Sequence, residues 1–438
     1  MKPFFTTLLI ISILSIGSVF SQDNLSLFIQ NNPSAMLINP ALTPANSFIC
    51  IPAIGSMGVN VSNSFGLGDI SDANSGTYTL SSSKISDMLT KSNSFLAGDY
   101  SVDAINIGAP FGESNFIGLS IRTRGIAAGS IGDGVFELLL DNPFNTYKSY
   151  DIVADYKYLL WNEIGFTFAH RWNDNWNFGA RVKFLSGMAT METSDFNFVA
   201  EKHYDKYYIS GTQNTNQYDH FDALGGNPGF GFDLGAAYTS NDKHFTGMAS
   251  ISDFGIISWN SYARNIVANN PDAKYEFNGL GELKDDFNAL KGSYDNLSDF
   301  LTDSLVPEFM QTIGNDTLSE SFTSSLPFCI QVGGNYAIDE ALSHNVNLAF
   351  LGRNISADHY YYAISAGYYW LSPSKHWQLL ANYTYYNNSS SGIAIGAVFN
   401  AEVVQAFITL DNVSGVFNAT NAQHVGMKLG ISLRNLLF

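Results

Sequence analysis

Strict two-residue alternation runs through most of the chain. Trp176, Phe178, Ala180, Val182 and Phe184 interleave with Asn177, Gly179, Arg181 and Lys183. Phe230, Phe232, Leu234, Ala236 and Tyr238 do the same against Gly231, Asp233 and Gly235. The pattern returns in Tyr360 to Trp370, Trp377 to Tyr385 and Val425 to Leu433. Successive side chains of a strand point to opposite faces, so each segment has one apolar, aromatic face and one face of Gly, Ser, Asn and occasional charge. Strands are predicted at 48–63, 99–110, 115–126, 150–170, 176–193, 228–240, 244–259, 326–338, 345–355, 360–371, 376–387, 391–400, 403–411 and 422–434. They make an all-β chain of roughly fourteen antiparallel strands, an even number as bacterial barrels require.

The connections sort into two kinds. Those at 111–114, 171–175, 241–243, 339–344, 372–375 and 401–402 are short, while 64–98, 127–149, 194–227 and 260–325 are long. If the first strand rises from the periplasm, these six short connections are all periplasmic and these four long ones all external, the asymmetry of a transmembrane β-barrel. Trp172 and Trp176 flank one short turn and Trp370 and Trp377 another, where membrane–water interfaces favour indole rings. Short helices are expected in the external loops, at Ser82–Phe95, Gly134–Leu140 and Leu280–Met310.

Composition sharpens this. Only 14% of the 438 residues are charged, 45% are hydrophobic, and the formal net charge is −18. Soluble domains carry roughly 25% charged residues. There are too few charges here to coat several sandwiches, and the acidic balance argues against nucleic acid. Lys2, the apolar run Phe4–Ile16 and the small residue Ser21 read as a secretory signal peptide, residues 1–21, cut before Gln22. No later apolar run reaches the length of a spanning helix, so a membrane-spanning form has to be a closed barrel. Residues 22–47 precede that barrel, which occupies 48–438 and carries its longest external loop at 260–325. Cys50 and Cys329 lie far apart in apolar segments and read as small buried or lipid-facing residues.

No catalytic or metal motif stands out. The eight histidines include no HxxxH or HExxH, and there is no GxSxG. Asp219-His220-Phe221-Asp222 has ligand-type side chains but reads as a solvated loop. Gly225-Gly226 and Gly333-Gly334 suit strand bends and a crowded lumen. Neither a cofactor nor an enzyme activity is expected. The charged residues of the polar face carry more information. Arg122, Arg124, Arg181 and Lys183 share the lumen phase with Asp151, Asp155, Glu163 and Asp233. A lipid-facing Arg or Lys at mid-membrane costs about 2–4 kcal/mol, which supports that phase. The set reads either as a network holding an N-terminal segment or lining a conduit, or as mutual neutralisation inside a closed barrel.

Several short motifs give a resemblance. Asn31-Asn32-Pro33 and Asn39-Pro40-Ala41-Leu42-Thr43-Pro44 precede the first strand. Trp161-Asn162-Glu163-Ile164-Gly165, Asn177 to Gly187, Ser325-Leu326-Pro327 and Thr409-Leu410-Asp411-Asn412 follow. In order and spacing they resemble an uncharacterised family of Bacteroidota outer-membrane barrels. That family is similar in plan to fatty-acid-transporter-type barrels and to barrels associated with type IX secretion. The resemblance implies an outer-membrane location and an N-terminal plug turning at Asn39, Pro40 and Pro44; the other reading of residues 22–47 is a periplasmic lead-in segment. It implies a barrel that admits or binds a small hydrophobic ligand. The alternative is a closed structural barrel whose external loops dock a secretion or cell-surface partner. One departure is that Phe438 ends the chain out of phase with the apolar face of Met427 to Leu433.

Overall fold

The computed structural model describes residues 25–435 apart from 53–54, 75–76, 82, 85–86, 88–93, 140–146, 205, 219, 221–225, 261, 269, 271, 278–305, 313, 356–359, 388, 390, 414 and 416–421. The expected signal peptide and Phe438 lie outside the described residues.

Fourteen antiparallel strands close into one barrel. β1 comes in two pieces, Phe48–Cys50 and Met57–Asn63. Next are β2 (Ser94–Phe111), β3 (Asn115–Ile131), β4 (Tyr147–Arg171) and β5 (Trp176–His203). β6 (Asn227–Thr239) and β7 (Phe245–Trp259) follow, then β8 in two pieces, Phe322–Ser325 and Cys329–Ala337. β9 (His344–Asn354), β10 (Tyr360–Leu371), β11 (Trp377–Tyr386), β12 (Gly392–Asn400), β13 (Val404–Asp411) and β14 (His424–Arg434) complete the set. Each strand pairs with its neighbours in chain order, and β14 returns to β1, with Val61 opposite Val425. Closure removes every free edge of the ring.

The alternation becomes an inside and an outside. Phe166, Phe168, Phe184, Phe230, Leu348, Tyr383 and Ile393 are exposed on the outer face, while their sequence neighbours Thr167, Lys183, Asn347 and Thr384 are buried. A continuous apolar outer face exceeds what a soluble surface tolerates, and a closed barrel leaves no backbone group unpaired in hydrocarbon. The outer face is therefore the lipid-facing belt. No helix among the described residues is long and apolar enough to cross a membrane. Trp172, Trp176 and Trp377 are exposed at the short-turn end, and Trp176 stacks on Phe178 at 5.7 Å.

Two features differ from the pattern read off the sequence. The segment 194–227, expected to be a loop, is largely strand. β5 spans 28 residues, roughly 90 Å of extended chain, whereas crossing a bilayer takes only about 9–11 residues. Its far half pairs with the strand Lys206–Tyr218, which in turn pairs with Ala263–Ala268 and Tyr275–Phe277. Phe198 and Ala268 are buried there, with Ile152, Phe196, Ile209 and Phe309 packed against them, a small core beyond the belt. The polar residues Asn197, Glu201 and His203 suggested a loop, yet they alternate with the buried Phe198, Ala200 and Lys202. Second, β2 begins at Ser94, so the helix expected over Ser82–Phe95 ends before that point; Ser83, Lys84 and Asp87 are helical. The expected Gly134–Leu140 helix appears as Asp133–Leu139, and of the Leu280–Met310 reading the described part is the helix Val306–Thr312. Cys50 and Cys329 are both buried and are not joined in a disulfide.

Candidate functional site: the barrel lumen

Inward-facing side chains make three layers along the barrel axis. At the short-turn end lies the segment that precedes β1. Pro33–Leu37 forms one 3-10 turn, capped by Asn32, whose Oδ1 accepts from Ser34 N at 3.0 Å. Every residue of that turn is buried. Asn39 Nδ2 donates to the backbone oxygens of Ala249 (3.1 Å) and Ala236 (3.4 Å), and its Oδ1 accepts from Ala41 N at 2.9 Å. Asn177 Nδ2 donates to Ala41 O, and Gln378 Nε2 to Phe28 O at 2.7 Å. Gln405 Nε2 donates to Gln30 O at 2.9 Å. Thus β5, β6, β7, β11 and β13 all grip the segment. Gly179 and Gly235 explain how it comes so close. A Cβ at Gly179 would overlap the Pro40 carbonyl, and one at Gly235 would overlap Asn39 Oδ1. Pro40 and Pro44 are also buried.

Above this segment is a layer of charge. Arg122 Nε meets Asp103 Oδ1 at 2.8 Å and Arg122 Nη1 meets Glu163 Oε1 at 3.3 Å. Arg124 Nη1 lies 3.5 Å from Glu163 Oε2 and 2.6 Å from Asp253 Oδ1, and its Nη2 donates to Asp253 Oδ2 at 3.0 Å. Arg181 reaches Glu163 Oε1 at 2.8 Å and Asp233 Oδ2 at 3.0 Å, while Lys183 reaches Asp233 at 2.6 Å and Asp253 at 2.7 Å. Four cations thus meet four anions. Arg181 Nη1 also donates to Leu37 O at 3.2 Å, tying this layer to the segment beneath. Burying charge is costly unless every ion is paired, and each of these eight has an opposite charge within 3.5 Å, with the buried Arg353 also acting on Asp253.

Strand register builds the layer. Arg122 sits across from Asp103 on β2 and Glu163 on β4, and Arg181 across from Asp233 on β6. Six of the eight charged residues singled out in the sequence are here: Arg122, Arg124, Glu163, Arg181, Lys183 and Asp233. The other two stand farther along β4. Asp151 is exposed, and Asp155 is half-buried opposite Ser130. Distance along the strand separates both from the layer, and a register shift between Val153 and Lys157 also lies between Asp151 and Glu163.

The third layer, toward the long loops, is apolar. Leu159, Trp161, Leu185, Tyr218, Ile257, Trp259, Leu326, Leu351, Tyr361 and Tyr386 point inward and are buried together. The Arg124 guanidinium lies over the Trp161 ring at 5.0 Å, joining it to the charge below. Trp259 Nε1 donates to Ser324 Oγ at 3.1 Å. Trp161 Nε1 is buried with no hydrogen-bond partner among the described residues. Among those residues no group of three or more His, Cys, Asp and Glu is placed to hold a metal. Of the Asp219–Asp222 stretch only His220 is described, stacked on the exposed Tyr262 at 4.4 Å.

Residues 40–411 match the profile of a family described as a family of unknown function (DUF5723). The chain belongs to that family. No curated protein matches it. Among solved structures it is similar to a Pseudomonas aeruginosa FadL homologue, with 11% identity over 93% of this chain and 95% of that one, at a TM-score of 0.46. It is also similar to the Ralstonia pickettii toluene transporter TbuX (10% identity, 93% and 94% covered, TM-score 0.43).

Two members of the charged layer in this DUF5723 chain were not among the sequence candidates, Asp103 and Asp253. Both sit at register shifts. On β2 the shift falls between Asp103 and Ile105, and on β6–β7 between Phe232 and Leu234, opposite Asp253. Strict alternation puts Asp253 in phase with Ile251 on the lipid side. Instead its φ is +61°, Ser252 and Asp253 are both buried, and the exposed phase resumes at Phe254 and Ile256. Asp253 N donates to Asp233 Oδ1 at 2.8 Å, which fixes the bulge. The available signal was an acidic residue on an otherwise uncharged face.

Proposed function

We propose that this protein is an outer-membrane barrel that binds a small hydrophobic ligand in the outer half of its lumen. The observation that carries this reading is the inward apolar layer. The lumen of a water-filled barrel is lined by polar groups. Here Trp161, Trp259, Leu326 and Tyr361 face inward toward the long-loop end. Such a layer favours an apolar guest over water, and the buried Trp161 indole N–H supplies a donor for a polar atom on it. The charged layer and the N-terminal segment lie beneath as a plug, the role we assign to residues 22–47. A binding role fits better than catalysis, because the buried charged groups engage one another at 2.6–3.5 Å.

The reading is tested with N-phenyl-1-naphthylamine on detergent-purified protein. Saturable fluorescence enhancement is expected, weakened about tenfold or more by Trp259→Leu and unchanged by the outward-facing substitution Leu379→Ala. Absence of saturable binding to the wild-type protein, or equal loss in both variants, overturns it.

A further inference from the structure

At the opposite end of the barrel a cavity lies in the seam between the N-terminal segment and the wall formed by β7 to β10. Its volume is about 220 Å³. One side is apolar: Leu27, Phe28, Leu42 and Met248. The other is polar: Thr246, Asn335, Asn345 and Tyr369. Asn335 Nδ2 donates to the Tyr369 hydroxyl at 3.1 Å, and both Asn345 and Tyr369 are nine-tenths or more buried. The mouth opens at the short-turn end, where Gln30, Asn31 and Lys243 are exposed.

Closely packed interiors hold few voids of this size. This one is held open from both sides. Gln378 Oε1 accepts from Gln30 N at 3.0 Å and Gln405 Nε2 holds Gln30 O, so the segment is drawn toward β11 and β13. Asn39 fixes its other end on β6 and β7. Pro33 and the 3-10 turn stiffen the chain between. The void cannot close without breaking those bonds.

We propose that this seam is a second binding site, for a single-ring molecule carrying a hydroxyl or similar hydrogen-bonding substituent. An apolar cavity of roughly 150 Å³ is enough to bind benzene. The extra volume accommodates one polar substituent, and the Asn335–Tyr369 side is where that substituent meets partners. The apolar side takes the ring. The inference stands independently of the outer-lumen reading, since the two sites lie at opposite ends of the barrel.

The experiment uses phenol and toluene as probes on the full-length protein in detergent, read by ligand-observed saturation-transfer NMR titration. Phenol is expected to bind saturably and more tightly than toluene. Met248→Trp, which fills the cavity, should abolish phenol binding. Asn335→Leu should weaken phenol about tenfold and leave toluene unchanged, so the site remains testable if the Trp variant fails to fold. Trp259→Leu, at the other end, should leave phenol binding intact. The proposal is overturned if wild-type protein shows no saturable phenol binding or if phenol and toluene bind equally. It is also overturned if folded Met248→Trp binds phenol normally, or if Trp259→Leu removes the binding.

Discussion

Removing the Arg181 guanidinium isolates what the charged layer contributes. The side chain is 1% exposed and touches Glu163 at 2.8 Å, Asp233 at 3.0 Å and Leu37 O at 3.2 Å. Breaking one side of a buried ion pair costs about 3–5 kcal/mol, because it strands the other charge. Neither anion is fully stranded here. Glu163 keeps Arg122 at 3.3 Å and Arg124 at 3.5 Å, and Asp233 keeps Lys183 at 2.6 Å. The ion-pair loss therefore falls at the lower end, about 3 kcal/mol. The lost bond to Leu37 O adds about 1.5 kcal/mol. Arg181→Met should thus lower unfolding stability by about 4.5 kcal/mol in all. Adding Asp233→Asn restores the balance of charge. The double variant should then cost less than the sum of the singles, by about 1–3 kcal/mol. Urea titration of protein refolded in lipid vesicles, followed by the shift between heated and unheated gel mobility, measures all three. A single-variant cost below about 1 kcal/mol, or a double variant additive within about 0.5 kcal/mol, would refute the view of the layer as one coupled network.

Two further perturbations probe the ends of the lumen. Gly235→Val places a side chain where Asn39 Oδ1 sits and should destabilise the protein by about 1–3 kcal/mol while exposing the N-terminal segment to limited proteolysis. Unchanged protease resistance would mean the segment is not seated against β6. In the turn between β8 and β9, the Asp339 carboxylate accepts from His344 N at 2.7 Å and Ser343 N at 2.9 Å, and these bonds hold it below its ordinary value of 3.8. A depressed value means the contribution is complete above that ordinary value and is lost as pH falls through the lower folded one. Hydrogen exchange at His344 N should therefore stay slow until that point, and protection lost while a free Asp would still be ionised would contradict the assignment.

The barrel was legible because its physics is periodic. All fourteen expected strands are present, since a wall between hydrocarbon and a packed lumen demands opposite chemistries at adjacent positions. The long hairpin extension was harder to read. Once a strand leaves the membrane its outer face is free to be polar, so Asn197, Glu201 and His203 no longer contrast with their neighbours in the way Phe178 and Val182 do. Length also misled, because nothing in the pattern marks where the bilayer ends and the strand goes on.

The charged layer shows the complementary limit. Phase alone brought in Asp151 and Asp155, because alternation fixes the side of the wall a residue faces and not its height along the axis. Phase alone also left out Asp253, because one extra residue in a strand exchanges the two faces, whereas Asp103 keeps the inward phase of Phe95 and Ala97. The bulge on β7 is what lets the layer close around Asp253. Without it Asp253 would follow Ile251 onto the lipid side, and Arg124 and Lys183 would lose the anion they share. A cation left without that partner in a buried lumen is costly. An isolated acid on the lipid face of a barrel strand is thus best read together with the inward charges of its neighbours. When they do not balance, a bulge at the acid is the simplest way for the chain to balance them.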